Sequence, residues 1–400
     1  MTGLQAAYDP EAFRRAGHQV IDRLADYLAG MLARPETAVL PWVDPDAQVA
    51  RWETGFPAAP ADDAAGALDA LIGDVLAAAN HLHHPRYIGH QVAVPLPSAA
   101  LGELAGALLN NSMAVYEMGP VGTALEKVVV RWLAAAIGLR AGADGVLCCG
   151  GSIGNLTALL AARAHSAPEE GERLALLTSE QTHYSVRRAA QVMGWGDEGV
   201  FTVAADGRFR LDPADLQPAF ERARDAGRRV VAVVGSACST ATGAYDPLDA
   251  IADFAAERGL WFHVDGAHGA SAALSRRYRH LVAGIERADS VVWDAHKLMM
   301  LPSLITAVLF RDGAHSYETF SQQASYLFER RPAWYNLAER TLECTKRSLS
   351  LPVYAALKVH GTDLFATYVE RTYDLAREFA SAIAAAPDFE LAVEPQSNIV

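Results

Sequence analysis

The sequence predicts an α/β fold built on a mainly parallel sheet flanked by helices. Between about residues 102 and 312, short β-branched runs alternate with segments of helical period. The distinctive polar residues of this stretch stand just after those runs, at the carboxyl ends of strands, where such sheets bind ligands. The chain has 400 residues, 51% of them hydrophobic, enough for a large core and more than one domain.

The elements follow in order. In "DPEAFRRAGHQVIDRLADYLAGML", Asp9 is placed to cap and Pro10 suits a first turn. Phe13, Val20, Ile21, Leu24, Leu28 and Met31 then recur at helical spacing until Arg34-Pro35. Residues 35–63, rich in Pro, Ala and Asp, read as a surface connection, and 64–79 as a second helix. "GVLCC", "RLALLTS", "RVVAVVGSA", "LWFHVDG", "DSVVWDA" and "LITAVLF" read as strands. Helices are predicted over 155–164, near Val186 and over 247–258. Residues 312–336 read as an exposed polar connection. "CTKRSLSLPVYAALKVHG" and "FATYVERTYDLAREFASAIAAA" read as helices, and "FELAVEPQSNIV" as a strand with nothing after it, so further residues are expected in the natural protein.

The formal charge of −13 and the absence of a basic run argue against a sequence-independent nucleic-acid binder. Cys148, Cys149, Cys238 and Cys344 match no zinc spacing and read as reduced thiols of a cytoplasmic protein. No signal peptide or membrane span is expected. "HLHHP" carries His81, His83 and His84, but its spacing suits no metal site, and no metal is expected.

Three features carry chemistry. In "VLCCGGSIGNLTALLAARAH", Gly150 and Gly151 permit close backbone approach, and Ser152 opens a helix. This is an anion cradle or an ordinary tight turn. Asp265, in "LWFHVDGAHGAS", closes an apolar strand and serves a ligand, a metal or a helix cap; its small neighbours leave room for a flat ring. Lys297, in "SVVWDAHKLMML", stands in an apolar run. Burial makes an amine nucleophilic, and the other reading is a lysine snorkelling from a strand end. Taken together, a phosphate cradle, a strand-end carboxylate and a nucleophilic lysine are the three handles of pyridoxal 5'-phosphate.

These residues, with "HHPRYIGHQ" and "QQASYLFERRPAWYNLAERTLECTKR", resemble the pyridoxal-phosphate amino-acid decarboxylases from about Phe13 to the end of the chain. That family includes glutamate, aromatic-amino-acid, histidine, cysteine-sulfinate and 2,4-diaminobutyrate enzymes. The resemblance implies a fold-type-I, aminotransferase-like enzyme with a seven-stranded sheet. It divides the chain into an N-terminal helical arm over 1–90, a large cofactor-binding domain over 91–312, and a mobile loop with a partial small α+β domain over 313–400. It implies that Lys297 forms the Schiff base, that Asp265 partners the pyridine nitrogen and that Ala267 packs on the ring. Gly151, Ser152 and His296 would bind phosphate, Thr240 would bring a hydroxyl near the cofactor, and His183 would stack on the ring. Tyr335, in "PAWYNL", matches a loop tyrosine that protonates the substrate carbon after carbon dioxide leaves. A homodimer with a shared active site is implied as well, with the N-terminal helix as a dimer arm rather than a membrane-surface element.

Cys238 stands where the family commonly has glycine, and Asp294 where several relatives have asparagine. His90 and Gln91 are polar where aromatic-amino-acid enzymes carry bulky rings. "AVYEMGPVGTALE" and "ASYLF" look more like the glutamate type, whereas Glu117 favours a cationic side chain such as that of 2,4-diaminobutyrate. Arg347 supports the substrate pocket or caps a helix. The expected reaction is decarboxylation of a polar or charged L-amino acid to its amine. The alternatives are an aromatic substrate, oxidative decarboxylation–deamination to an aldehyde, or a non-catalytic relative.

Overall fold

The structure is a computed structural model that describes residues 3–53, 55–321 and 333–400. The chain divides into two compact units, Met1–His90 and Gln91–Val400.

The first unit is helical: α1 Gly3–Ala7, α2 Pro10–Ala33, α3 Pro45–Trp52 and α4 Ala64–Ala78. Asp9 caps α2 by accepting from the Glu11 and Ala12 amides, with Pro10 in the first turn, as the sequence predicts. Asp44 and Pro45 repeat this device at α3, a helix inside the stretch read as a plain connection. α2 packs on α4, and Arg23 grips Asp69 (Nε to Oδ1 2.6 Å). Phe13, Ile21 and Leu24 of α2 and Leu68, Leu71 and Val75 of α4 stay exposed, an uncovered apolar face.

In the second unit, α5 (Pro97–Leu109) and α6 (Pro120–Ala136) precede strand β1 (Asp144–Cys148). Then come α7 Gly151–His165, β2 Leu174–Ser179, α8 Tyr184–Val192, β3 Val200–Val203, α9 Leu216–Asp225, β4 Arg229–Ser236, α10 Leu248–Arg258 and β5 Trp261–Asp265. β6 Ser290–Asp294, β7 Thr306–Phe310, α11 Ala314–Phe320, α12 Ser350–His360 and α13 Asp363–Ala385 follow. The strands form one seven-stranded sheet in the order β1-β7-β6-β5-β4-β2-β3. β7 runs antiparallel to both neighbours; every other pairing is parallel.

The sheet is buried on both faces, which explains why its strands read as continuous apolar runs. Leu147, Leu177, Val233, Phe262, Val264, Val291 and Leu309 lie in a core with α6, α9 and α10. Their alternates Val146, Leu176, Val234, Val292 and Val308 lie in a second core with α7 and α8.

Side chains close both sheet edges. At the β1 edge, the Leu147 amide donates to Glu126 Oε1 (3.0 Å), and Lys346 Nζ donates to the Leu147 carbonyl (2.6 Å). Glu126 and Lys346 are themselves a fully buried ion pair (2.6 Å). At the β3 edge, Arg222 donates to the Thr202 carbonyl (2.9 Å), Asp215 accepts from the Ala204 amide (2.9 Å), and the two side chains pair.

Besides α3, three elements depart from the sequence reading. β3 has a weak, four-residue signal and was not foreseen. α11 forms within the stretch read as an exposed, partly polar connection. "FELAVEPQSNIV" makes no strand. Pro395 removes an amide donor, and the segment is held by side chains instead: Gln396 Oε1 accepts from the Tyr245 amide (2.9 Å), and Asn398 Oδ1 meets His268 Nε2 (2.7 Å). "ASYLF" and the rest of residues 322–332 lie outside the described residues.

Candidate active site

The carboxyl ends of β1, β2, β4, β5 and β6 converge on one cavity of about 260 Å³. Gly151, Ser152, His183, Thr240, Asp265, Ala267, His296 and Lys297 all line it. Gly150 takes a positive φ of 96° to turn β1 into α7, a conformation that suits glycine. No side chain caps α7, so the first turn of this 15-residue helix offers free N–H groups beside Ser152. A Cβ on Gly151 would stand 3.1 and 3.2 Å from the Asp294 carboxylate oxygens, so glycine keeps that wall open.

Asp265 is buried and tied down by a chain of hydrogen bonds. Trp261, His263 and Asp265 share one face of β5, where α7 brings Asn155 against them. Trp261 Nε1 donates to Ser290 Oγ (2.8 Å), whose hydroxyl meets His263 Nδ1 (2.8 Å). His263 Nε2 meets Asn155 Oδ1 (3.0 Å), and Asn155 Nδ2 donates to Asp265 Oδ2 (2.9 Å). Burial lowers the His263 pKa, keeping the ring neutral. A neutral ring donates from one nitrogen only, and Asn155 Oδ1 can only accept. His263 Nε2 therefore carries the proton, and every donor in the chain points toward the carboxylate. Asp265 Oδ1 accepts from the Ala267 amide (3.2 Å).

Asn155 Nδ2 also donates to Ser185 Oγ (2.8 Å), which meets His183 Nδ1 (2.8 Å). The Ser185 amide donates to the same nitrogen (3.3 Å), so Nδ1 accepts and Nε2 bears the proton. Burial lowers the His183 pKa against the opposing pull of Asp265. Sequence reasoning missed Asn155, Ser185 and His263. The readable signal was the polar His263 within an apolar strand, one side-chain period before Asp265.

Lys297 is part-buried rather than sealed among apolar neighbours. Its Nζ lies 3.3 Å from Asp294 Oδ2, and His296 Nε2 lies 3.6 Å from the same oxygen. Thr306 Oγ1 donates to Asp294 Oδ1. His296 Nδ1 meets the Ile305 carbonyl (3.1 Å). Burial pushes the Cys238 thiol up to about 12, which keeps it protonated and inert at neutral pH. His268 is held neutral by burial, its pKa lowered to about 4, and its Nδ1 has no partner among the described residues.

The remaining expected residues fall elsewhere. Gln91 Nε2 donates to the Thr240 carbonyl (2.8 Å), beside the cavity. His90 is exposed and belongs to the first unit. Arg347 pairs with Glu103 and does not line the cavity. Tyr335 packs its ring on Tyr116 (centroids 5.4 Å apart), next to the exposed Glu117. Neither Tyr335 nor Glu117 lines the cavity.

The uncapped helix start, the glycine wall, the buried strand-end carboxylate and Lys297 fit pyridoxal phosphate; the Asp294 carboxylate, set against Gly151 at the helix start, opposes its phosphate charge. The cavity is a pocket that fits an aldehyde cofactor, set at the strand ends of an α/β fold. Residues 58–400 match the pyridoxal-dependent decarboxylase conserved domain, and the chain belongs to that family. It is 37% identical over 325 residues to cysteine sulfinic acid decarboxylase of Mus musculus, covering 78% of this chain and 66% of that protein, just under two thirds. It is 32% identical over 337 residues to an acidic amino acid decarboxylase of Mus musculus, covering 82% of this chain and 61% of that protein. The crystal structure of mouse CSAD superposes with a TM-score of 0.90 at 30% identity, covering 97% of this chain and 83% of that one.

Proposed function

We propose that this chain is a pyridoxal-phosphate-dependent decarboxylase that converts a polar or charged L-amino acid to its amine and carbon dioxide. The observation that carries the reading is the single cavity holding Lys297, Asp265 and the Gly151–Ser152 helix start. The names of the relatives favour an acidic substrate over a 2,4-diaminobutyrate-like or aromatic one.

Lys297 would hold the cofactor's aldehyde, and the α7 amides with Ser152 and His296 its phosphate. Bound there, pyridoxal phosphate supplies a conjugated ring that accepts the electron pair left as carbon dioxide departs. Asp265 would hold a proton at the ring nitrogen, and its relay through Asn155 keeps the carboxylate oriented. His183, Ala267 and Thr240 bound the space beside the ring. Tyr335 delivers a proton to the substrate carbon, which separates amine formation from the aldehyde-forming route.

Because Tyr335 and Glu117 lie off the cavity, they would serve the site of a second copy in a homodimer, with the uncovered apolar face of α2 and α4 as the dimer arm. Four free thiols suit the cytoplasm, and among the described residues no helix is long and apolar enough to cross a membrane.

The test is a panel of L-aspartate, L-glutamate, cysteine sulfinate, 2,4-diaminobutyrate and aromatic amino acids, assayed for carbon dioxide and amine. A visible cofactor absorbance that Lys297→Met removes, with carbon dioxide and amine from one substrate, is the expected result. Absorbance without carbon dioxide from any amino acid would refute the reaction. Mixing Lys297→Met and Tyr335→Phe chains should restore about a quarter of the wild-type sites if the site is shared, and none if it is not.

A further inference from the structure

We propose that His165, His315 and Glu318 form a site for one divalent transition-metal ion, away from the cofactor cavity. His165 is in the last turn of α7, and His315 and Glu318 lie three residues apart on α11. One ligand atom from each lies within 4.8 Å of the other two. His315 Nδ1 and Glu318 Oε2 are 3.2 Å apart. Two ligands each about 2.1 Å from a tetrahedral ion stand about 3.4 Å apart, so this pair is already close to coordinating separation. The two imidazoles meet edge to face, with centroids 4.6 Å apart.

Both rings rest on a fixed support. The Trp261 indole lies 5.0 Å from the His315 ring and 5.5 Å from His165. Trp261 is buried in β5, with Nε1 bonded to Ser290. The His165 ring makes no hydrogen bond among the described residues, whereas His315 Nδ1 is hydrogen-bonded to Glu318 Oε2, a contact the ion would replace. Two imidazoles and one carboxylate select zinc, nickel or copper over magnesium or calcium, which prefer all-oxygen shells. A cavity of about 310 Å³, lined by His165, Trp261 and Arg311, opens beside His165. The spacing of His81, His83 and His84 gave no hint of this cluster, because its ligands come from two helices far apart in the chain.

The ion would pin the carboxyl end of α7, whose other end forms the anion cradle, to α11. The experiment is calorimetric titration of chelator-treated holoenzyme with zinc chloride, in buffer free of added cofactor and amino acid. One zinc per chain is expected. His165→Ala and His315→Ala should each weaken binding at least about tenfold, Glu318→Gln should weaken it too, and His83→Ala should not. An unchanged far-UV circular dichroism spectrum checks that each variant is folded. Zinc binding unchanged in the His165→Ala/His315→Ala double variant would overturn the proposal, as would no binding by the wild type. Because the readout is metal binding, failure of the decarboxylase reading would leave this result untouched.

Discussion

Asn155 has two donor hydrogens and one carbonyl oxygen, and each is used: on Ser185, on Asp265 and by His263. Asn155→Ala would strand a buried carboxylate oxygen and a buried imidazole N–H. Cofactor affinity and kcat should each fall at least about tenfold. Asn155→Asp should be worse, since it places a second carboxylate against Asp265. Titration of cofactor absorbance and carbon dioxide release would measure both effects. Asp294 acts in the opposite sense. Its carboxylate borders the α7 cradle, so Asp294→Asn removes a charge that opposes phosphate and should tighten cofactor binding about tenfold, read by the same titration. At this scale the lysine, the acid and the cradle were legible, because each stands at a strand end in a distinctive local pattern. Asn155 and Ser185 were not, because a lone amide or hydroxyl in a helix carries no signal until tertiary packing brings it to the acid.

Elements show the same division. Asp9-Pro10 announces α2 and Asp44-Pro45 announces α3 by one mechanism, yet only the longer helix has enough apolar period to be read with it. The buried strands were legible as β-branched runs. The final segment also looked like a strand, but no strand edge receives it. β1 depends on a pair of side chains distant in sequence. Lys346→Met leaves Glu126 charged and unpaired in the core and should cost about 3–5 kcal/mol by urea unfolding. Adding Glu126→Leu to that variant should recover most of the loss in the ion-pair component, since the stranded charge is then gone.

Over the whole molecule, buried titrating groups set how stability depends on acid. Burial lowers His268 from 6.5 to about 4 and lowers His263 as well. Both rings are neutral when folded but take up protons when unfolded below pH 6.5. Each therefore contributes stability that is lost as pH falls from about 6.5 toward 4, by about 1.4 kcal/mol per pH unit. Asp246, raised to about 6 by burial, has the opposite sign: between about 4 and 6 the folded form keeps a proton that the unfolded form has released. From these three groups the net effect is a loss on acidification, and His268→Asn should flatten the slope of unfolding free energy between pH 6 and 4.5. Asp246→Asn should steepen it.

A sheet ends somewhere, and its last strand offers bare amides and carbonyls to any extended chain that passes. Here an acid takes an outward amide and a base takes an outward carbonyl at each border: Glu126 with Lys346 on one side, Asp215 with Arg222 on the other. The molecule is thereby fenced against lateral growth. Two copies cannot associate by extending the sheet across these positions without first breaking a paired charge, which leaves assembly to helical surfaces.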